Sequence, residues 1–200
     1  MELDMQYPKT YPSNIEQTAD DKEIFETVPL VAKIIRMGDF DSALSDCLLL
    51  FDGHDPKIAT ILGYLYSRRN WSKFDLTKSV EYYEIGARGG ISYAHHALGG
   101  LLKKSGREAE ALDQYIAGAQ LGRMECAYNA YFLLKKNKRN EEAVAMQSLA
   151  ARLGHPLAAR DQAFDMLLGK KGFAKIFPGL IQYFSLIPQL IAYANAISRG

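Results

Sequence analysis

The sequence predicts an all-α protein, an α-solenoid of stacked antiparallel helix pairs that ends in an apolar helical cap. One pattern occurs three times at a spacing of 32 residues, as SVEYYEIGARGG from Ser79, ALDQYIAGAQLG from Ala111 and AVAMQSLAARLG from Ala143. Its columns keep their chemistry: Ser79, Ala111 and Ala143 are small, Tyr83 and Tyr115 are aromatic where the third copy has Gln147, and Gly86, Gly118 and Ala150 are small again. Each copy closes on a glycine, Gly90, Gly122 or Gly154. A unit of this length cannot bury its own apolar face, so self-similarity at this period implies copies stacked side by side.

Composition sets the limits. A chain of 200 residues, 48% hydrophobic, is long enough for one sizeable core, and a formal net charge of +1 argues against a nucleic-acid binder, which normally needs a strongly basic face. The charge is unevenly spread: seven acids face only Lys9 and Lys22 in the first 26 residues, whereas beyond Asp165 there is no acid, only Lys170, Lys171, Lys175 and Arg199. Cys47 and Cys126 are too far apart for a metal-binding motif and are expected to be packed thiols. With no basic stretch ahead of an apolar one near Met1, a cytoplasmic location is expected, with membrane association as its variant.

In chain order, residues 1–21 contain Pro8, Pro12, Ser13 and Asn14 without sustained periodicity and read as a flexible acidic arm. A solenoid is expected over 22–168 and an apolar segment over 169–200. Phe25, Val28, Val31, Ile34 and Ile35 predict a helix over 23–37, ended by Gly38-Asp39. Asp41 is expected to open the next helix, over 42–51, where Ala43 and Cys47 fall in the columns of Ser79 and Tyr83 at a spacing of 36. The better copies each read as two helices, the first over 58–68, 94–104, 127–136 and 158–168, the second over 75–88, 107–121 and 139–153. Small residues in the paired columns let helices approach closely, and the ring at Tyr83 or Tyr115 fills the space they leave.

The segment from Phe173 breaks the pattern. Pro178 and Pro188 predict two or three short helices, and Gln182, Ser185, Gln189 and Asn195 argue against a membrane span. Phe177, Leu180, Ile181, Phe184 and Ile187 recur at helical spacing and are expected to bury the last unit's edge. The competing expectation is a partner-binding or membrane-surface element over 170–200, its lysines on anionic lipid.

The layout Leu98-Gly99 in a first helix, then Ala111, Tyr115, Gly118, Ala119 and Gly122 in a second, resembles the Sel-one-like repeat, a relative of the tetratricopeptide repeat. Leu62-Gly63, Tyr66, Tyr82-Tyr83, Ala87 and Gly90 repeat it, whereas the third copy departs, with Tyr131-Phe132 for Leu-Gly and Gln147 for the aromatic. The likeness spans roughly residues 55 to 168 and implies a right-handed solenoid whose members are mostly non-enzymatic adaptors.

Catalytic constellations are sparse. His95 and His96 are adjacent and point about 100° apart on a helix, which does not make a chelating pair. Gly99-Gly100 lacks the strand-then-helix context of a dinucleotide loop, and His54-Asp55 reads as a turn with Asp55 capping the next helix. No enzyme activity, metal or cofactor is expected. In tetratricopeptide-like solenoids the first helices line the concave side. That rule turns Lys57, Thr60, Tyr64, Arg68, Tyr93, His96, Lys103, Lys104, Asn129, Lys136 and Arg160 inward, a basic and aromatic groove. Glu81, Glu84, Glu108, Glu110, Asp113, Glu141 and Glu142 lie on second helices, on a more acidic convex side. The expected function is an adaptor that binds a protein or acidic peptide partner, not nucleic acid, in that groove, with Tyr64 and Tyr93 as anchors. The alternative is a peripheral membrane accessory protein, in envelope polysaccharide or secretion assembly, docking through the C-terminal segment. The acidic arm is expected either to occupy the basic groove or to stay solvated.

Overall fold

The structure is a computed structural model that describes residues 37–169 and 176–198. The expected arm over 1–21 and nearly all of the helix over 23–37 lie outside the described residues. Among those described there are nine helices: α1 Phe40–Leu50, α2 Pro56–Tyr66, α3 Leu76–Arg88, α4 Ser92–Lys104, α5 Glu108–Gln120, α6 Met124–Lys136, α7 Asn140–Arg152, α8 Pro156–Leu167 and α9 Ile176–Ser198. They pack as neighbouring pairs, α2 with α3, α4 with α5, α6 with α7 and α8 with α9, and each pair leans on the next through α3 against α4, α5 against α6 and α7 against α8.

The helix starts are written in side-chain chemistry. Asp55 accepts hydrogen bonds from the Lys57 and Ile58 amides, and Pro56 supplies the fixed φ that suits a first turn. Asp75 does the same for α3 through the Thr77 and Lys78 amides. At the start of α1 the cap is Asp39, bonded to the Ser42 amide, and not Asp41 as expected. Asp41 sits inside the first turn, where Lys73 lies 2.7 Å from its carboxylate and holds its pKa below the usual range.

Between units the chain turns on the glycine column. Gly90, Gly122 and Gly154 have φ of +79°, +91° and +94°, a region costly for a residue with a Cβ. Each is followed by an amide that reaches back five residues: Ile91 to the Gly86 carbonyl, Arg123 to Gly118 and His155 to Ala150. Inside the second and third pairs Gly106 and Lys138 occupy equivalent left-handed positions, and lysine tolerates its place only because the turn between α6 and α7 requires it.

The core follows the repeat columns. Tyr83 and Tyr115 are almost fully buried, and a Cβ placed on Gly63 or Gly99 would lie 2.8 Å from the Tyr83 ring or 2.6 Å from the Tyr115 ring. Glycine in the Leu-Gly pair is therefore the seat of the aromatic across from it; burying a ring of this size contributes about 2 kcal/mol. In the third pair the aromatic changes sides, Tyr131 standing in the glycine's column and buried Gln147 in the tyrosine's. Gly118 faces the Cys126 sulfur, which fixes the spacing between α5 and α6. Both cysteines are free and buried, and burial pushes the Cys47 thiol up to about 12 and the Cys126 thiol higher than its ordinary value.

The C-terminal segment differs from expectation in two ways. It is one helix of 23 residues with Pro188 inside it, not two or three short ones. Pro178 falls in the first turn, where a missing N–H matters little, and Pro188 is exposed, so water can take the carbonyl it leaves unpaired. The helix α9 does close the stack, as second helix of the last pair, but through the opposite face from the expected one. Leu186, with 8% exposure, packs with Ala159 and Ala163, beside Tyr183 and Leu190, while Phe177, Ile181 and Phe184 are 58–70% exposed. Gly179 decides the side: its Cβ would lie 2.6 Å from the Met166 Cβ and 3.1 Å from the Ala163 carbonyl, so only a glycine lets α9 come this close to α8.

Candidate functional site

Along the first helices α2, α4, α6 and α8 and the turns that flank them, rings and cations make a series of contacts that recurs from unit to unit. At its N-terminal end the Arg68 guanidinium lies 5.2 Å from the Phe40 ring centre and 5.5 Å from that of Tyr64. Tyr93 lies 6.3 Å from buried Tyr83, and the Arg123 guanidinium lies 5.1 Å from the Tyr93 ring centre. His96 sits against Tyr115 at 6.3 Å, Tyr128 stacks on His155 at 4.0 Å, and His155 lies 6.2 Å from Tyr193 of α9. Cations over aromatic faces at these separations contribute about 0.5–1 kcal/mol where exposed and more where water is excluded.

The predicted groove residues are not equivalent in this arrangement. Tyr64, Tyr93 and His96 join the ladder as half-buried residues, the His96 imidazole lying on the buried side, and Arg68 is exposed at its edge. Lys57, Lys103 and Asn129 are half-buried and Lys104 is exposed. Thr60 is buried, its hydroxyl donating to the Pro56 carbonyl at 2.7 Å, so it does not face a groove. Two cations are tied into the fold: Lys136 donates to Glu108 of α5 at 2.7 Å, and Arg160 donates to its neighbour Asp161. The Lys136–Glu108 pair links a helix expected on the basic side to one expected on the acidic side, so the two charges offset each other locally.

The ladder also holds Phe40, Arg123, Tyr128, His155 and Tyr193, which were not expected in the groove from the sequence. Arg123 and His155 share one column, 32 residues apart and immediately before α6 and α8, and Tyr128 follows one turn into α6. A signal was present in that recurrence of a long cationic or imidazole side chain where the preceding unit has Ile91. Arg123 is buried, with its Nε 3.4 Å from a Glu125 carboxylate oxygen, since a buried guanidinium needs a counter-charge. Burial, then the Arg123 charge, depresses the His96 imidazole to about 3, and burial depresses that of His155 to about 4. His155 also accepts from the Ala158 amide at 3.3 Å, which caps α8 and needs the neutral ring.

His95 and His96 diverge: the Nδ1 of His95 is 2.8 Å from the Gln114 side-chain oxygen on α5, whereas His96 faces Tyr115. Among the described residues no group of three histidine, cysteine or carboxylate side chains is placed to hold a metal ion. His54 and Asp55 form the expected turn, their amides donating to Asp52 at 2.8 and 3.0 Å.

Comparison with solved structures places this architecture. A Sel1 repeat protein from Oxalobacter formigenes superposes with a TM-score of 0.65 at 18% identity, over 80% of this chain and 67% of that one. MamA superposes with a TM-score of 0.55 at 14% identity over 82% of this chain and 96% of that one, and a MamA double mutant from RS-1 gives 0.54 at 14% over 87% and 98%. No protein-family model and no curated protein matches the sequence. The likeness read from the Leu-Gly, tyrosine and glycine columns is thus shown as a shared fold, the solenoid of Sel1-like and tetratricopeptide-like repeats.

Proposed function

We propose that this chain, with the fold of a Sel1-like solenoid, is a non-enzymatic adaptor that holds a protein partner along the face of its first helices. The observation that carries the proposal is the row of half-buried residues Tyr64, Tyr93 and His96 on successive first helices, with exposed Arg68 on Tyr64 and Arg123 of the next unit on Tyr93. Half-buried aromatic side chains held by their neighbours suit interface anchors, because they bring large contact area without ordering a flexible side chain. The partner segment is an acidic or polar peptide, with Tyr64 and Tyr93 as its anchors and Arg68, Lys103 and Lys104 for its carboxylates. A cytoplasmic setting goes with this reading. The test is affinity purification from the native host with the parent chain, a Tyr64→Ala/Tyr93→Ala variant and a Phe184→Asp variant, with circular dichroism to confirm folding. A partner lost only with the tyrosines supports the proposal; a partner lost only with Phe184 overturns it.

A second reading is favoured by α9. Phe177, Leu180, Ile181, Phe184, Ile187 and Ile191 form one exposed apolar stripe, and the stretch Ile176–Asn195 has a mean hydropathy of 1.3, with only 11% of its most apolar window buried. An apolar helix face in a segment whose sequence has no acids and is preceded by Lys170, Lys171 and Lys175 suits docking at an anionic membrane surface. Co-sedimentation with vesicles containing phosphatidylserine, lost with Phe184→Asp, supports it, and equal recovery in the absence of vesicles overturns it.

A further inference from the structure

Each second helix inside the stack is covered by the first helix that follows it, α3 by α4, α5 by α6 and α7 by α8. The α9 helix holds the same place in the last pair, and its outer face is exposed. Gly179 stands against the Ala163 carbonyl as Ser79 stands against the Gly63 carbonyl, so Leu186 and Ile187 fall in the columns of Gly86 and Ala87. Small residues in those columns let the next first helix come close. A Cβ placed on Gly86 would lie 2.9 Å from the Ala94 Cβ, and one on Gly118 would lie 2.5 Å from the Cys126 sulfur. Leucine and isoleucine hold off a neighbour of that kind, so α9 is not shaped to receive the first helix of another such unit.

What α9 presents is a seam. Phe177, Leu180, Phe184, Ile187, Ile191 and Ala194 are all exposed and follow one another at alternating intervals of three and four residues. That spacing keeps large side chains facing a partner helix, each entering a gap between the partner's own. At about 100° per residue they and Ile181 cover an arc of about 140°, opposite the Leu186 and Gly179 side that meets α8. A lipid surface needs an apolar face but no such register, and helices that lie in it carry cations along their polar side. From Ile176 to Ser198 there is no charged residue at all, and Ser185 and Gln189 beside the seam are neutral. Such a face can meet an identical face without like-charge repulsion. The area agrees. Phe177, Leu180, Ile181, Phe184, Ile187 and Ile191 are 38–70% exposed, which at about 200 Å² for a side chain of this size leaves roughly 650 Å² per copy. Two copies joined there would bury about 1,300 Å², within the roughly 1,200–2,000 Å² of a stable, specific interface.

We infer that α9 is a two-fold contact between copies of this chain, the seam of one packing on the same seam of the other. The inference goes beyond the adaptor reading and uses neither Tyr64 nor Tyr93, and it competes with the membrane reading for one face. The test is sedimentation velocity of the full chain over about 1–200 µM, the weaker end of what interfaces of this size reach. The parent, 22.4 kDa as one chain, is expected to pass into a species of twice that mass and to stop there. Phe184→Asp places two charges in the contact, one from each copy, and should weaken it on the order of 100-fold or more with the circular dichroism spectrum unchanged. Should that variant not fold, Phe177→Gln, at the most exposed position of the seam, should weaken it about tenfold or more. Tyr64→Ala/Tyr93→Ala should leave the dimer intact, so the failure of the adaptor reading is told apart from the failure of this one. The inference is overturned by a parent that stays monomeric at the top of the range, whether or not it pellets with phosphatidylserine vesicles. Assembly that continues past two copies overturns it as well, as does a dimer equally tight in the folded seam variants.

Discussion

Two neighbouring glycines on α4 should respond oppositely to the same substitution. Alanine is favoured over glycine in a helix interior by about 1 kcal/mol, because glycine loses more backbone freedom on folding. At Gly100 nothing opposes that gain, since an added Cβ would find only the Tyr115 hydroxyl, at 4.0 Å. At Gly99 the Cβ would meet Tyr115 ring carbons at 2.6, 2.8 and 3.1 Å, well inside van der Waals contact, and the ring is too buried to move aside. Overpacking of this kind costs about 1–3 kcal/mol, and contacts this short fall in the upper part of that range. Net of the helix gain, Gly99→Ala should therefore lose about 1–2 kcal/mol, whereas Gly100→Ala gains about 0.5–1 kcal/mol. For a chain of this length the two variants should melt about 4–10 °C apart, on either side of the parent. The cost should also vanish when the ring is removed: adding Gly99→Ala to a Tyr115→Leu background should be neutral or stabilising, a non-additive pair. Thermal and urea melts of the parent and these four variants measure this. If Gly99→Ala stabilises as much as Gly100→Ala, the ring does not sit on Gly99 and the proposed origin of the Leu-Gly column is wrong.

Other predictions are simpler. Ala119, 2% exposed in the main core, should not accept a larger residue, so Ala119→Leu should cost about 1–3 kcal/mol, and coincident melts with the parent would contradict the register. His96 and His155 are held neutral when folded, at about 3 and about 4, and titrate near 6.5 when unfolded. Between those values the unfolded chain binds more protons, so stability should be full above about pH 6.5 and fall as the pH drops toward 4, and melts that coincide at pH 7.5 and 5 would refute it. Both cysteines should resist alkylation at pH 8 in the native chain and react fully in urea, because burial pushes both thiols up, that of Cys47 to about 12; rapid native labelling of either would refute their burial.

Much of the fold is legible in the spacing of small residues. Every helix from Pro56 to Leu167 falls within about three residues of its expectation at either end, because the glycine turns and the alanine columns act locally. At α9 that legibility ends for a physical reason. Nearly every position there is apolar, so periodicity fits both faces equally, and the face is chosen by Gly179, whose value lies only in its contact with α8. The ladder was half-legible: Tyr64 and Tyr93 follow from the repeat register, but Arg123 and His155 lie in turns, just outside the helices where the periodicity was read.

The measurement that most directly tests the adaptor reading is hydrogen exchange of the chain alone and with its purified partner. Binding along the first helices predicts slower exchange in α2 and α4 around Tyr64 and Tyr93, with α9 unchanged. Protection confined to Ile176–Ser198, with α2 and α4 as fast as in the free chain, would contradict it.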